Sequence, residues 1–292
     1  MSLVKKMFLA LVTFLLVILA GLYQVGVFAV FFPSHQHEID PPVLPVMSSA
    51  QTILLFTKTN SFRHEEGIEA GSKLINSLAE KNAWQIVQTE NGAVFNSRDL
   101  AKFKAVIFLN TSGDTLSASQ QKAFQSWLLQ GGGWLGVHAA GDGSHQDWPW
   151  YMENLIGVVF TGHTMGPQFQ QATVINEHLS HPVMVGLSGN WAHTEEWYSW
   201  QQSPRAKGFE VLASVDESSY QPHLKLIGKP VDLRMGDHPI VWANCLQKGR
   251  AVYSAMGHAA EAYRAPEHQT LIENAIRWLL VAQEEGCEPL AI

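Results

Sequence analysis

Behind Lys5 and Lys6 the chain runs for twenty-six residues, Met7 to Phe32, without a charge, and Gln24 is the only strongly polar side chain among them. As one helix rising 1.5 Å per residue, the run reaches roughly 39 Å, more than the ~30 Å hydrocarbon core of a bilayer. The apolar core of a signal peptide is only about 7–15 residues, and no clean A-x-A cleavage sequence follows here. The run therefore predicts a transmembrane signal anchor over 7–32, with a long cleaved signal peptide as the alternative. The HQHEID that follows carries no Lys or Arg. The positive-inside rule then keeps residues 1–6 cytoplasmic and puts the rest outside, in the periplasm or on the cell surface. Pro33, Pro41, Pro42 and Pro45 mark 33–50 as a semi-extended linker that holds a domain off the membrane.

What remains suits one domain over 51–282 and a polar tail over 283–292. Apolar residues make up 46% of the chain and charged ones 15%, enough to bury a core and too apolar for disorder. The charges of the first fifty residues cancel, so the net charge of −7 falls on the domain. Such a surface repels phosphate backbones, and no nucleic-acid partner is expected. Cys245 and Cys287 are the only cysteines, which supports neither a disulfide framework nor a CxxC metal site.

TILLF (52–56), Trp84–Val87, Ala105–Leu109 and GGGWLGVH (131–138) read as buried strands. A helix from Glu65 places Ile68, Gly71, Ile75 and Leu78 on one face. A second is announced by the Ser117/Gln120 capping box, with Gly131 to end it. This alternation requires an α/β fold with a parallel sheet between helices. The second half is richer in strands (171–175, 209–213, 239–242, 251–255) and closes with an amphipathic helix through Leu271, Ile272, Ala275, Ile276 and Leu279. Ligands of open parallel sheets bind beyond the carboxyl ends of the strands, which singles out loops 57–64, 110–115, 138–148 and 256–264.

Those loops hold the candidate chemistry. Arg63 and His64 sit at a helix start, suited to an anionic or carbonyl group. In GVHAAGD (136–142), His138 stands at the strand-to-helix turn where α/β hydrolases carry a nucleophile, and neither Ser nor Cys is at that turn. A covalent acyl mechanism is disfavoured, which leaves imidazole as a base or metal ligand. His163, the HTEEWY stretch with His193, Glu195, Glu196 and Tyr198, then Asp237, His238 and His258, complete the polar inventory. The chain has ten tryptophans; Trp148 and Trp150 suit a sugar-stacking wall as well as a core.

Taken in order, FRH (62–64), GGGWLGVHAAGD (131–142), WYMENLIGVVFTGH (150–163), HP (181–182), EEWY (195–198), PR (204–205), VLASVDESSY (211–220), DHPIVW (237–242), the stretch 249–258 that ends in YSAMGH, and the last helix resemble the ThuA-like family, named for trehalose utilisation. The resemblance covers about residues 52 to 281. It implies a flavodoxin-like, class I glutamine amidotransferase-like fold without the glutaminase triad, and a link to carbohydrates such as 3-keto-disaccharides. His64, His138, Asp142, His163, Glu195, Tyr198, Asp237 and His258 match its motifs.

The expectation is a carbohydrate-processing enzyme, on a glycoside or 3-keto-sugar, using non-covalent acid/base chemistry; a non-catalytic sugar-binding or scaffolding domain is the alternative. His138, Glu195, Asp142 and Asp237 are the expected catalytic groups, and Arg63, His64, Trp148, Trp150 and Tyr198 the substrate-binding ones. His64, His138, His163 and His258, with Glu195, form a ligand set for zinc or a similar divalent ion. The expected partners are a small carbohydrate and, through the N-terminal helix, the membrane.

Overall fold

The protein is described by a computed structural model over residues 2–24 and 26–281. The tail expected at 283–292, with Cys287, lies outside the described residues. Helix α1, Leu3–Gln24, begins before the lysines and holds a stretch, Leu3–Leu22, of mean hydropathy 2.4 with none of it buried. It is long and apolar enough to cross a membrane, as an anchor or as a signal sequence. The uncharged run is not one helix through Phe32, as its length had suggested. Gly26 adopts φ 74°, a left-handed turn that ends helices at little cost in glycine, and the short α2, Phe28–Phe31, follows.

The domain begins with β1 (Thr52–Phe56), α3 (Glu65–Asn82), β2 (Gln85–Thr89), α4 (Ser97–Leu100), β3 (Ala105–Leu109), α5 (Ala118–Leu129) and β4 (Gly133–Val137). After the short α6 (Pro149–Tyr151) come β5 (Phe160–His163), β6 (Gln170–Asn176), β7 (Asn190–Glu195), β8 (Tyr198–Trp200) and β9 (Glu210–Val215). The chain closes with β10 (His223–Leu224), β11 (Val231–Asp232), β12 (Pro239–Leu246), β13 (Gly249–Ser254) and α7 (Pro266–Leu280). The main sheet runs β2-β1-β3-β4-β13-β12-β9-β6-β7. Its first five strands are parallel, in the flavodoxin-like order, and the last four are joined antiparallel. The α/β architecture read from the alternation is present, and the strand-rich second half extends it.

Strand β3 shows why helices cover both faces. Successive side chains of a strand point oppositely. Phe108 packs on Phe124 of α5, with ring centroids 5.4 Å apart, while Leu109 lies against Gly71 of α3. Both faces of β1, β3 and β4 are buried, which is why they read as unbroken apolar runs.

Segment 33–50, expected to hold the domain off the membrane, lies along the domain instead. Glu38 accepts from the Lys58 ammonium (2.8 Å) and the Gly92 N–H (2.8 Å), and the Gln120 amide donates to the Glu38 carbonyl (2.8 Å). Further along, Ser48 N–H donates to Gln85 (2.7 Å). Burial pushes the Glu38 carboxyl up, but the Lys58 and Gly92 bonds outweigh it and hold its pKa below the ordinary value.

Candidate active site

Three parallel strands deliver three histidines to one point. The loop after β1 ends in His64 at the start of α3; β4 runs directly into His138; and β13 leads through Met256 and Gly257 to His258. His138 has φ 51°, a conformation that costs a non-glycine residue on the order of 1 kcal/mol and turns the chain sharply off the strand. Its ring is fixed from both ends: Nδ1 lies 2.7 Å from the Ala255 carbonyl, and Nε2 lies 2.9 Å from the Tyr198 hydroxyl and 3.1 Å from His258 Nδ1. The first of these puts the proton on Nδ1 and leaves a lone pair on Nε2. Helix α3 comes close because residue 67 is glycine; a Cβ there would stand 2.5 Å from the carbonyl oxygens of Gly257 and His258.

The carboxylate that meets these rings is Glu196. One oxygen lies 3.0 Å from His258 Nδ1 and 3.6 Å from His138 Nε2; the other lies 3.0 Å from His163 Nδ1 and also takes the Gln168 amide. Burial raises a carboxyl's pKa, but the contacts with His163 and His258 and the nearby His138 imidazole outweigh it and hold Glu196 far below the usual range. Burial lowers His138 and His163, but Glu196 prevails at both and raises them. His64 goes the other way: burial, then the neighbouring His138 and His258, hold it well below the ordinary imidazole value. Its Nδ1 is buried and has no hydrogen-bond partner among the described residues. The His64 ring stands edge-on to His138 (4.8 Å) and His258 (4.5 Å).

His64, His163, Glu196 and His258 line a cavity of about 650 Å³, with Phe62, Phe160, Met165 and Tyr198 as apolar lining and Asp142, Ser144 and Gln168 as polar lining; His138 lies fully buried beneath them. All four loops singled out by the strand-end rule take part, through His64, Asp114, Asp142 and His258. Burial raises the Asp142 carboxyl, and its Oδ1 accepts the Ser144 N–H (2.8 Å). The pairing of β5 with β8 sets His163 opposite Tyr198.

Several expected site residues are elsewhere. Glu195 lies behind the cavity, where it accepts the N–H groups of Gly257 (2.6 Å), Glu196 (2.9 Å) and His258 (3.3 Å). Trp148 is core: it packs on Phe124 (5.6 Å), Tyr151 (5.0 Å) and Trp150 (6.2 Å), and neither tryptophan lines the cavity. Arg63 pairs with Glu65 and Glu90, and Asp237 pairs with Arg205 at the surface. Glu196 stands in the polar inventory of the sequence without an assigned role, and Phe62, Phe160 and Gln168 carry no signal there. Two adjacent glutamates after a strand advertise that one faces each way, but the strand stops at Glu195, so alternation does not say which.

The profile of the ThuA family, described as trehalose utilisation, matches residues 52–279. The chain belongs to the ThuA family. Its fold superimposes on a ThuA-like protein of Bacteroides uniformis with a TM-score of 0.69 and 28% identity, over 84% of this chain and 98% of that one. A ThuA-like protein of Parabacteroides merdae gives 0.58 at 15% identity, over 83% and 94%. A cytoplasmic protein of Salmonella typhimurium gives 0.54 at 11%, over 78% and 99%; these last two likenesses speak for the fold alone. Among curated proteins none matches.

Proposed function

We propose that this ThuA-family domain is a divalent-metal-dependent enzyme that acts on a carbohydrate by non-covalent acid/base chemistry, anchored by α1 with the domain on the extracytoplasmic side. One observation carries the metal. A tetrahedral ion with bonds of about 2.0–2.1 Å separates its ligand atoms by roughly 3.3 Å. His138 Nε2, His258 Nδ1 and the facing Glu196 oxygen are separated by 3.1, 3.0 and 3.6 Å. His64 completes a quartet whose ligand atoms all lie within 4.8 Å of one another. The charges agree. Glu195 and Glu196 are both buried, so a cation among the histidines would offset carboxylate charge that is costly to bury. The Ala255 carbonyl orients His138 as outer-shell partners of ligand histidines do. Three imidazoles and a carboxylate suit Zn²⁺ and the neighbouring divalent ions.

A bound cation supplies Lewis acidity at a sugar carbonyl or hydroxyl. The remaining work falls to side chains. His163 has its Nδ1 against Glu196 and the Thr164 carbonyl (3.0 Å), which leaves Nε2 as the basic nitrogen. In a 3-keto-sugar the C–H beside the ketone is acidic. His163 takes that proton, the electron pair moves onto the ketone oxygen, and its return expels the glycosidic oxygen from the neighbouring carbon; that oxygen leaves as an alcohol, with the proton given back by the His163 imidazolium. Burial keeps the Tyr198 hydroxyl protonated, its pKa well above the ordinary value, so it serves as a donor to the oxyanion. Phe62 and Phe160 offer flat apolar faces to the ring.

The test incubates the full chain with trehalose, other disaccharides and their 3-keto forms, with and without EDTA, and follows products by mass spectrometry. Turnover lost with EDTA and restored by Zn²⁺ or Mn²⁺ is the expected result. Purified, untagged protein that holds no stoichiometric metal and turns over equally with EDTA refutes the metal. Sugar binding without turnover moves the assignment to a non-catalytic sugar-binding domain.

A further inference from the structure

One wall of the cavity comes from outside the ThuA domain. Val27, Val30 and Pro33, at the junction of the apolar run and the linker, line it together with Phe160 and Met165. This stretch is fastened to the domain: Ser61 donates to the Ala29 carbonyl (3.4 Å), the Ser34 N–H donates to the Asn60 carbonyl (2.7 Å), and His35 and His37 reach Asp114 (3.4 and 3.2 Å). Cleavage between Leu22 and Pro33 would remove part of that wall, which favours an anchor that is kept. The chain from Leu22, where the span ends, to Val27 covers at most about 18 Å. With α1 as the anchor proposed above, this tether keeps Val27, and the cavity that it lines, within about 18 Å of the end of the span. Exposed aromatic side chains suit that position: Phe31 and Phe32, between Val30 and Pro33, are 67% and 65% exposed, and Phe169, itself exposed, stands edge-on to His258 (5.0 Å).

A free sugar has no use for a wall that continues into a membrane helix. Resting on the carbohydrate reading above, we propose that the substrate is the saccharide head of a membrane-resident amphiphile. The sugar lies over His64, His258 and Glu196, and its apolar chain leaves past Val27, Val30 and Phe62 toward the bilayer. The polar floor and the apolar wall divide one cavity as such a molecule divides itself, and the anchor keeps the cavity where that molecule is concentrated.

The experiment uses the full chain in phosphatidylcholine nanodiscs and compares maltose with octyl β-maltoside below its micelle threshold, correcting for uptake into empty nanodiscs. Each methylene buried on the protein tightens binding by about fourfold. The octyl derivative is expected to bind at least about tenfold more tightly than maltose, and the Val27→Ser/Val30→Ser double variant to lose most of that preference. Equal affinity for the two ligands overturns this inference and leaves the sugar reading standing. A preference that survives intact in the double variant overturns it too, because the chain then lies elsewhere. Binding of neither removes the sugar reading as well.

Discussion

Replacing Glu195 and Glu196 by glutamine, one at a time, separates two carboxylates that are neighbours in sequence and different in work. Glu195 receives three backbone N–H groups, from Gly257, Glu196 and His258, and is buried. In Glu195→Gln one of its oxygens becomes an NH₂ that faces an N–H. One or two buried donors then lose their acceptor, at about 1–3 kcal/mol each, so the loss should be ~2–4 kcal/mol. For a domain of this size that lowers Tm by roughly 5–15 °C. The loop bearing His258 shifts with it, and metal affinity should fall about 10–100-fold, as for outer-shell changes elsewhere. Glu196→Gln takes away a ligand and its charge but keeps an amide oxygen for His163; because His258 loses its buried carboxylate partner, the metal-free protein should also lose about 1–3 kcal/mol. Its metal affinity should fall by more than about 100-fold, beyond the outer-shell range. Thermal melts followed by circular dichroism on the metal-free chain, and competition with a chromophoric chelator, read both quantities. An unchanged Tm in Glu195→Gln, or unchanged metal affinity in Glu196→Gln, would falsify the division of labour.

Acid should destabilise the fold through His181 and His268. Burial first, with neighbouring histidines, pulls each down to about 4, below the ~6.5 of an unfolded chain. The unfolded state thus binds these protons more tightly, so the stability they supply is complete above about pH 6.5 and lost as pH falls toward 4. Each is worth up to ~3 kcal/mol, and denaturant midpoints between pH 7 and 4 should shift less in the His268→Asn variant. Glu38→Ala leaves the buried Lys58 ammonium without its carboxylate, though the Gln36 carbonyl still accepts from it (2.8 Å). With Glu38 partly in solvent the cost should be only ~1–2 kcal/mol, and faster proteolysis within 33–50 in the variant is the readout. Arg63→Ala and Asp237→Ala should leave turnover within about twofold of the parent and cost no more than ~1 kcal/mol each, because their ion pairs are at the surface. A turnover loss of tenfold or more in either variant would return that residue to the site.

The first half of the sheet was legible because its strands are buried on both faces, so each is an apolar run that ends where a loop must begin. The same pattern located the site, since in an open parallel sheet those ends converge: His138 follows β4 directly, and His64 and His258 lie in the loops that follow β1 and β13. Composition could not separate stacking from packing: Trp148 and Trp150 are aromatic side chains in a loop either way, and only contact with Phe124 and Tyr151 shows which. Strands β5 and β8 escaped notice because three or four residues carry little periodic signal, and β7 because two of its three buried positions are the polar His193 and Glu195; yet they lead to His163, Tyr198 and Glu196. The juxtamembrane wall was the least legible of all. Its residues belong by composition to the apolar run, and Gly26 alone marks where that run leaves the helix and turns toward the cavity. The uncharged stretch thus divides into an apolar helix that could cross a membrane and, beyond Gly26, residues that line the cavity. The surplus beyond Leu22, which hydropathy counts as more membrane, is what the domain uses to close its own site.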